Sequence, residues 1–129
     1  MFPPVVLAPG LSAAVELVVA EPDTSIALGS GDVPVLGTPR LLALAEEATV
    51  AAVAAALDPG STTVGHRVAL EHRTPTPVGG TVRAEAVLTG VDGRNLTFRV
   101  TVSDGNGPVG EATITRVLVD RARFLERLR

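Results

Sequence analysis

The sequence TPRLLALAEEATVAAVAAAL, residues 38–57, decides how the rest of the chain is arranged. Its alanines and leucines favour a helix, which would be about 30 Å long at ~1.5 Å per residue. We expect Thr38 to be the N-cap, with Pro39 at the first helical position, where its missing N–H costs nothing. Asp58-Pro59-Gly60 supplies the stop signal. Because apolar residues occupy nearly every side, the pattern predicts a buried helix.

Two adjacent carboxylates interrupt this apolar helix. Glu46 shares a face with Leu42 by the rule that residues three and four apart are neighbours, so it is expected to point inward. A buried carboxylate is costly unless it is paired or functional. Arg40 and Arg67 are candidate structural partners for it. The spacing alone does not decide whether Glu46 or Glu47 would be the functional carboxylate.

The composition is that of an ordinary cytoplasmic domain. The chain has 129 residues, of which 46% are hydrophobic, and this is enough for a core. A net charge of −3 does not favour nucleic acid or an anionic membrane as partner. The absence of cysteine excludes disulfides, thiolate metal ligands and a cysteine nucleophile, and it fits a reducing compartment. We expect no metal, no cofactor and a cytoplasmic location.

Turn signals divide the remaining chain into strands. Five runs read as strands, over residues 11–20, 64–74, 81–89, 95–103 and 109–119. Asp92-Gly93 and Asp104-Gly105-Asn106-Gly107 are hairpin signals, and Gly79-Gly80 is interpreted as a third turn. Residues 120–129 resemble a short amphipathic helix capped by Asp120. We therefore expect one domain over residues 1–129, with residues 1–10 as an N-terminal extension and residues 120–129 as a C-terminal helix.

The order of elements predicts an architecture. One strand, one long apolar helix and a four-strand meander make an α+β domain in which the helix covers one face of the sheet. A curved antiparallel sheet wrapped around one long helix is the hot dog fold. Such a sheet leaves an exposed edge strand, and pairing two edges in a homodimer would cover it. The glycine-rich segment 24–37 is either a flap over a site or a plain connection, and both interpretations stay open.

Polar side chains fall on apolar faces of the predicted strands. Alternation places His72 on the face of Val64, Val68 and Leu70, and Arg116 on the face of Ala112, Ile114 and Leu118. His72 could also be solvated at its strand end, and Arg116 could extend to the rim of the sheet. Buried charges persist by meeting a partner. We therefore expect Glu46, His72 and Arg116 to meet in one cavity.

Three segments carry a family resemblance: GTPRLLALAEEA at 37–48, VGHRVALEHRTPTPVGG at 64–80 and GEATITR at 110–116. From about Val15 onward the chain resembles the fluoroacetyl-CoA thioesterase family of hot dog proteins. The resemblance implies a homodimer that hydrolyses a small acyl-CoA thioester. It implies that the catalytic residues are Thr38, Glu46 and His72, and that the residues lining the acyl pocket are Gly65 and Arg116. It also selects Glu46 over Glu47.

The chemistry of these residue types is coherent with thioester hydrolysis. That reaction needs a base or nucleophile, a proton donor for the thiolate and donors for an oxyanion. His72 would move protons, and Glu46 would activate water or attack directly. Thr38 at a helix N-terminus would lie near developing negative charge. A backbone N–H at Gly65 could approach the substrate closely, and Arg116 would supply polar character to the acyl pocket.

The flap before the helix departs from the family pattern. Fluoroacetate-specific members resemble one another in having phenylalanines there, whereas residues 25–37 contain no aromatic residue. We therefore expect a generic short-chain acyl-CoA as substrate, without selectivity for fluoroacetyl-CoA, and the sequence does not decide whether fluoroacetyl-CoA is also hydrolysed. A non-catalytic acyl-CoA or ligand-binding module is the alternative outside enzymes, as is a purely structural dimer. A hydratase would place an Asp–His pair at the helix start, but Asp32 has no histidine beside it.

Overall fold

The structure is a computed structural model that describes residues 5–129, so residues 1–4 of the predicted N-terminal extension lie outside it. Its strands are β1 (Ser12–Val18), β2 (Ser61–His72), β3 (Thr81–Asp92), β4 (Asn95–Asp104) and β5 (Gly107–Asp120). Its helices are α1 (Ser25–Leu28), α2 (Thr38–Val53) and α3 (Arg121–Glu126), and 3-10 turns occupy Glu21–Asp23 and Ala54–Ala56. None of the helices in residues 5–129 is long and apolar enough to cross a membrane.

The five strands form one antiparallel sheet in the order β1-β3-β4-β5-β2. The β3–β4 and β4–β5 hairpins occur where Asp-Gly and Asp-Gly-Asn-Gly predict them. The predicted meander is wrong at its first turn, because β2 pairs with β5 and not with β3. Two prolines in the β2–β3 connection cannot donate ladder hydrogen bonds. This connection pairs instead with the segment before α2, where the Leu36 N–H donates to the Thr76 carbonyl at 2.8 Å.

Helix α2 lies against one face of the sheet and supplies six of the nineteen buried hydrophobic residues that form the core within residues 5–129. Its buried side chains are Leu41, Leu44, Ala45, Ala48, Thr49, Ala52 and Val53. They pack against apolar residues of β3, β4 and β5, including the fully buried Phe98. The expectation of a helix buried on every side is wrong for the single chain, since Val50 is 47% exposed and Glu47 and Ala51 are also exposed. One apolar side of α2 is therefore left uncovered.

The start of α2 differs from the prediction. Gly37 is the N-cap, and Thr38 is the first helical residue. A Cβ on Gly37 would lie 2.8 Å from Leu28 Cδ1 and 3.2 Å from the Ser25 backbone, so only glycine fits this close approach. Because the N-cap is one position earlier than predicted, the Thr38 hydroxyl does not cap the helix. At the other end of the chain Asp120 caps α3 as predicted, with its carboxylate accepting from the Arg123 N–H at 3.0 Å.

Candidate active site

A β-bulge in β2 decides which of its side chains face α2. The pairing with β5 runs from Gly65 opposite Arg116 directly to Arg67 opposite Thr115, so His66 is an extra residue. A bulge of this kind reverses the alternation of side chains along a strand. Gly65 and His72, seven residues apart, consequently face the same side, which a regular strand forbids. For the same reason the prediction that Val64 shares the face of His72 is wrong.

The first group of site residues, here called the carboxylate cluster, consists of Glu46, Gly65 and Arg116. The Arg116 Nη1 group donates to Glu46 Oε2 at 3.0 Å. A Cβ added to Gly65 would lie only 2.6 Å from Glu46 Oε2 and 3.6 Å from Arg116 Nη1. Gly65 therefore leaves a notch in the strand that the Glu46 carboxylate enters, and a larger residue would not let the carboxylate lie this close to the backbone.

The cluster is partly screened from water on the arginine side. The Arg116 side chain is 8% exposed, whereas that of Glu46 is 34% exposed. Burial lowers the pKa of Arg116, and the charge and hydrogen bond of Glu46 offset part of this effect; a guanidinium still stays protonated at neutral pH. Because Arg116 is buried and Glu46 is only partly buried, the Glu46 carboxylate is the accessible member of the ion pair. The alternative partner Arg40 is bonded to Asp23 instead, at 3.0 Å, and Glu47 lies on the exposed side of α2.

The second group, the imidazole cluster, consists of Thr38 and His72. The Thr38 hydroxyl and His72 Nδ1 are 2.8 Å apart. The other ring nitrogen, Nε2, is buried and has no hydrogen-bond partner among residues 5–129. Both residues line a pocket of about 320 Å³. A buried polar atom without a partner is costly, so Nε2 is a candidate for a hydrogen bond that the described part of this single chain does not supply.

The environment of His72 favours the neutral ring. Burial lowers the pKa of His72 below its usual range, and the nearby Thr74 backbone opposes this effect in part. A neutral imidazole has one nitrogen that donates and one that accepts. When the Thr38 hydroxyl donates to Nδ1, Nε2 carries the proton; when Nδ1 carries it, Nε2 is a free base. The pair can therefore serve in either direction of proton transfer.

Residues 29–35 form one wall of this pocket and are held by Ser25. The Ser25 hydroxyl donates to the Val33 carbonyl at 2.6 Å, and the Ser25 N–H donates to the Val35 carbonyl at 2.9 Å. The Ser30 N–H in turn donates to the Ser25 carbonyl at 2.9 Å. The segment is thus a folded wall that carries Ser30, Gly31 and Asp32 into the pocket lining. Among residues 5–129, no aromatic side chain lines this pocket.

The two clusters are separate within one chain. Thr38 and Glu46 are eight residues apart on α2, about 12 Å along its axis. The pocket beside His72 is lined by neither Glu46 nor Arg116, and among residues 5–129 His72 forms no ion pair with Glu46. The expectation that Glu46, His72 and Arg116 share one cavity is therefore not met by a single chain. Only Glu46 and Arg116 meet directly.

Sequence reasoning missed one residue that contacts the site. Thr63 accepts from Arg116 Nε through its hydroxyl at 2.9 Å and from Nη2 through its carbonyl at 3.0 Å. Its position two residues before Gly65 puts it on the same face, which alternation alone could have indicated. The sequence did not single out Thr63, because threonine is a common residue in β-strands.

Comparison with solved structures gives the class of the protein. A hot-dog-like protein from Thermanaerovibrio acidaminovorans superposes with a TM-score of 0.85 at 21% identity, over 93% of this chain and 89% of that chain. A variant of the fluoroacetyl-CoA thioesterase FlK in complex with acetyl-CoA superposes with a TM-score of 0.89 at 29% identity, over 95% and 97%. The α+β hot dog fold is confirmed, and the protein is a hot dog thioesterase.

Sequence comparison gives the family. The family FlK, described as fluoroacetyl-CoA-specific thioesterase, matches residues 19–122. The fluoroacetyl-CoA thioesterase of Streptantibioticus cattleyicolor is 35% identical over 95 residues, which are 74% of this chain and 68% of that protein. The chain belongs to the FlK family of thioesterases.

Proposed function

We propose that this protein hydrolyses a small or short-chain acyl-CoA thioester to the free acid and CoA. The observation that carries the proposal is the pair of clusters on one face of the fold: an unpartnered imidazole nitrogen beside a pocket, and a carboxylate oriented by Arg116 at the Gly65 notch. Membership of the family supports the substrate class, since relatives are named for fluoroacetyl-CoA and one is a complex with acetyl-CoA.

Each side chain has a role that its contacts support. Glu46 supplies the electron pair, by attacking the thioester carbonyl or by taking a proton from the attacking water. His72 starts neutral with Nε2 free, takes the proton of the attacking water directly or through Glu46, and gives a proton from Nε2 to the departing sulfur, while its Nδ1–H donates to the Thr38 hydroxyl. The thioester carbonyl would lie next to the Glu46 carboxylate at Gly65 and beside Arg116, which supplies positive charge where the oxygen becomes negative.

The proposal requires a homodimer, because the two clusters lie apart in one chain. Strand β2 is an edge of the sheet, and its inward-facing Val68 is still 38% exposed. An unpaired edge of this length is a template for a second strand. The uncovered side of α2, where Val50 is 47% exposed, flanks the same edge. Edge and helix together form a continuous surface suited to a second copy of the chain.

A twofold axis at Ala69 gives the pairing a consistent register. Antiparallel pairing of two β2 strands about this residue sets Leu70 opposite the partner's Val68, both facing inward. It sets Glu71 opposite the partner's Arg67, an opposite-charge pair on the outer face. It also brings His72 to the partner's bulge at Gly65. The imidazole cluster of one protomer would then meet the carboxylate cluster of the other and form one site.

The fluoroacetyl group is not the substrate that the pocket favours. The wall formed by residues 29–35 contains no aromatic side chain, and within the part of the chain that the structure describes no aromatic ring lines the pocket. We propose a short acyl chain without selectivity for fluorine. The cytoplasmic location, based on the absence of cysteine, stays a prediction.

A thiol-release assay with purified protein tests the function. Acetyl-, fluoroacetyl-, propionyl- and butyryl-CoA are offered as substrates, and release of CoA is expected for at least one of them. Glu46→Gln and His72→Asn should each lower kcat at least ~100-fold, the usual scale for an acid–base group. Glu47→Gln, which changes the adjacent exposed carboxylate, is the matched control and should retain activity. Saturable binding of these esters with no turnover of any of them would instead identify a non-catalytic binding module.

A further inference from the structure

The guanidinium of Arg116 is held at three points, and one residue provides two of them. Thr63 accepts from Nε with its hydroxyl and from Nη2 with its carbonyl, at 2.9 and 3.0 Å. Glu46 accepts from Nη1 at 3.0 Å. Both Thr63 and Arg116 are buried, with 8% and 7% of their surface exposed. Thr63 therefore fixes the orientation of the guanidinium plane from the side opposite the Glu46 carboxylate.

This arrangement determines which donors of Arg116 remain. A guanidinium carries five N–H groups in a rigid planar fork. With three of them committed, one N–H on Nη1 and one on Nη2 are left. Nη1 lies beside the Gly65 notch, where a Cβ would be 3.6 Å away. A rotation of the plane would move this donor from the notch and would also release Glu46.

We propose that Thr63 is a positioning residue for the hydrolytic reaction: it fixes the Arg116 guanidinium, and through it the Glu46 carboxylate, at the Gly65 notch. This inference rests on the proposed function, because positioning matters to catalysis only if Glu46 and Arg116 act on a thioester. Among the hydrogen bonds of residues 5–129, the Thr63 side chain bonds to Arg116 and not to Glu46. Its effect passes entirely through Arg116.

Position 63 requires a side chain that accepts a hydrogen bond, and this requirement matters more than the volume of the side chain. Thr63 lies opposite Leu118 on the face that points toward α2. Valine would fill the same volume but would leave the buried Nε–H of Arg116 without an acceptor, which is costly. Serine keeps the acceptor and loses only a methyl group. The pair Thr63→Val and Thr63→Ser therefore separates the hydrogen bond from the packing.

Steady-state kinetics on the full chain test the role in the reaction. Thr63→Val should lower kcat at least ~10-fold with KM changed less than about twofold, since a ~1 Å misplacement of a reacting group can cost about 100-fold in rate. Thr63→Ser should recover kcat to within about threefold of the unmodified protein. Thr115→Val, the same substitution beside Arg116 on the outer face, is the matched control and should leave both parameters unchanged.

A readout independent of activity keeps the inference testable on its own. In ¹⁵N–¹H spectra, the Nε–H resonance of Arg116, assigned through Arg116→Lys, should be protected from exchange in the unmodified protein and in Thr63→Ser. It should exchange fast or disappear in Thr63→Val. If that resonance is unaffected by Thr63→Val, or if kcat is unaffected while the unmodified protein turns over substrate, the positioning role is refuted. If no thioester is hydrolysed by any variant, the proposed function fails instead, and the spectra still decide whether Thr63 holds Arg116.

Discussion

The Thr38 hydroxyl lies 2.8 Å from Nδ1 of His72, although the two residues are 34 positions apart in the chain. The contact joins the first residue of α2 to the last residue of β2. It exists because Gly37 takes the capping position and leaves the Thr38 side chain free to point toward the sheet. A single hydrogen bond thus fixes the orientation of the one imidazole that lines the pocket.

Removing this hydroxyl should impair turnover more than stability. Thr38→Val keeps the branched shape but leaves Nδ1 of His72 without its partner, so the ring is free to rotate. We expect kcat to fall about 10- to 100-fold, the scale of a misplaced catalytic group. Thr38→Ser keeps the hydroxyl and should stay within a few-fold of the unmodified enzyme. Equal kcat values for the valine and serine variants would show that the contact is not used.

A methyl group at Gly65 should displace the carboxylate without unfolding the protein. The new Cβ would lie 2.6 Å from Glu46 Oε2, and the end of a flexible side chain can move away at little cost. Gly65→Ala is therefore expected to lower kcat/KM at least ~10-fold with an almost unchanged melting temperature. Gly90→Ala is the control, because its Cβ would meet nothing closer than 3.9 Å. Full activity in Gly65→Ala would show that catalysis does not need the carboxylate at this position.

Mixing two inactive variants should restore activity if each site spans two chains. Glu46→Gln and His72→Asn each destroy both sites of their own homodimer. In a mixed dimer, one site combines the intact His72 of one chain with the intact Glu46 of the other. After random exchange of subunits, about a quarter of the unmodified activity is expected. Native mass spectrometry of differently tagged variants verifies the exchange. A mixture that contains mixed dimers and stays inactive would contradict the composite site.

Because the His72 imidazole is partly buried, the free energy of unfolding should decrease when the pH falls into the mildly acidic range. The pKa of His72 is lowered from 6.5 in the folded state, so the unfolded chain binds more protons once the pH falls below that value. The free energy of unfolding therefore decreases from about pH 6.5 down to the folded-state pKa, below which the loss is complete. Urea unfolding at about pH 7.5 and 5.5 measures the difference.

His72→Asn should remove most of that pH dependence. If the free energy of unfolding of His72→Asn still decreases between these two pH values, the pH dependence comes from other groups.

Most of the local structure could be predicted from the sequence. The helix over residues 38–53, the hairpins at Asp92-Gly93 and Asp104–Gly107 and the cap at Asp120 depend on propensities and turn residues that act over a few positions. The hot dog architecture follows from their order. The partner of β2 could not be predicted in this way, because an edge strand with alternating residues fits beside β3 as well as beside β5.

The candidate site was predictable as a set of residues but not as an arrangement. Alternation along β5 correctly placed Arg116 among inward-facing apolar residues. Alternation along β2 failed at Val64, since the bulge at His66 reverses the pattern. The adjacent Gly65 is the one signal for it in the sequence, because a glycine inside a strand often marks a bulge. The acceptor role of Thr63 depends on where the Arg116 side chain ends. That position follows from packing between elements that are 53 residues apart in the chain.

By itself, the sequence determined the long apolar helix, the strand segments and the residue types able to hydrolyse a thioester, because these are local properties of composition and period. Only the tertiary structure decided that β2 lies at the edge beside β5, that a bulge turns Gly65 and His72 to one face, and that one chain keeps its imidazole and carboxylate clusters apart. The physical reason is that strand pairing and register depend on contacts between distant segments, whose free energies no local pattern records.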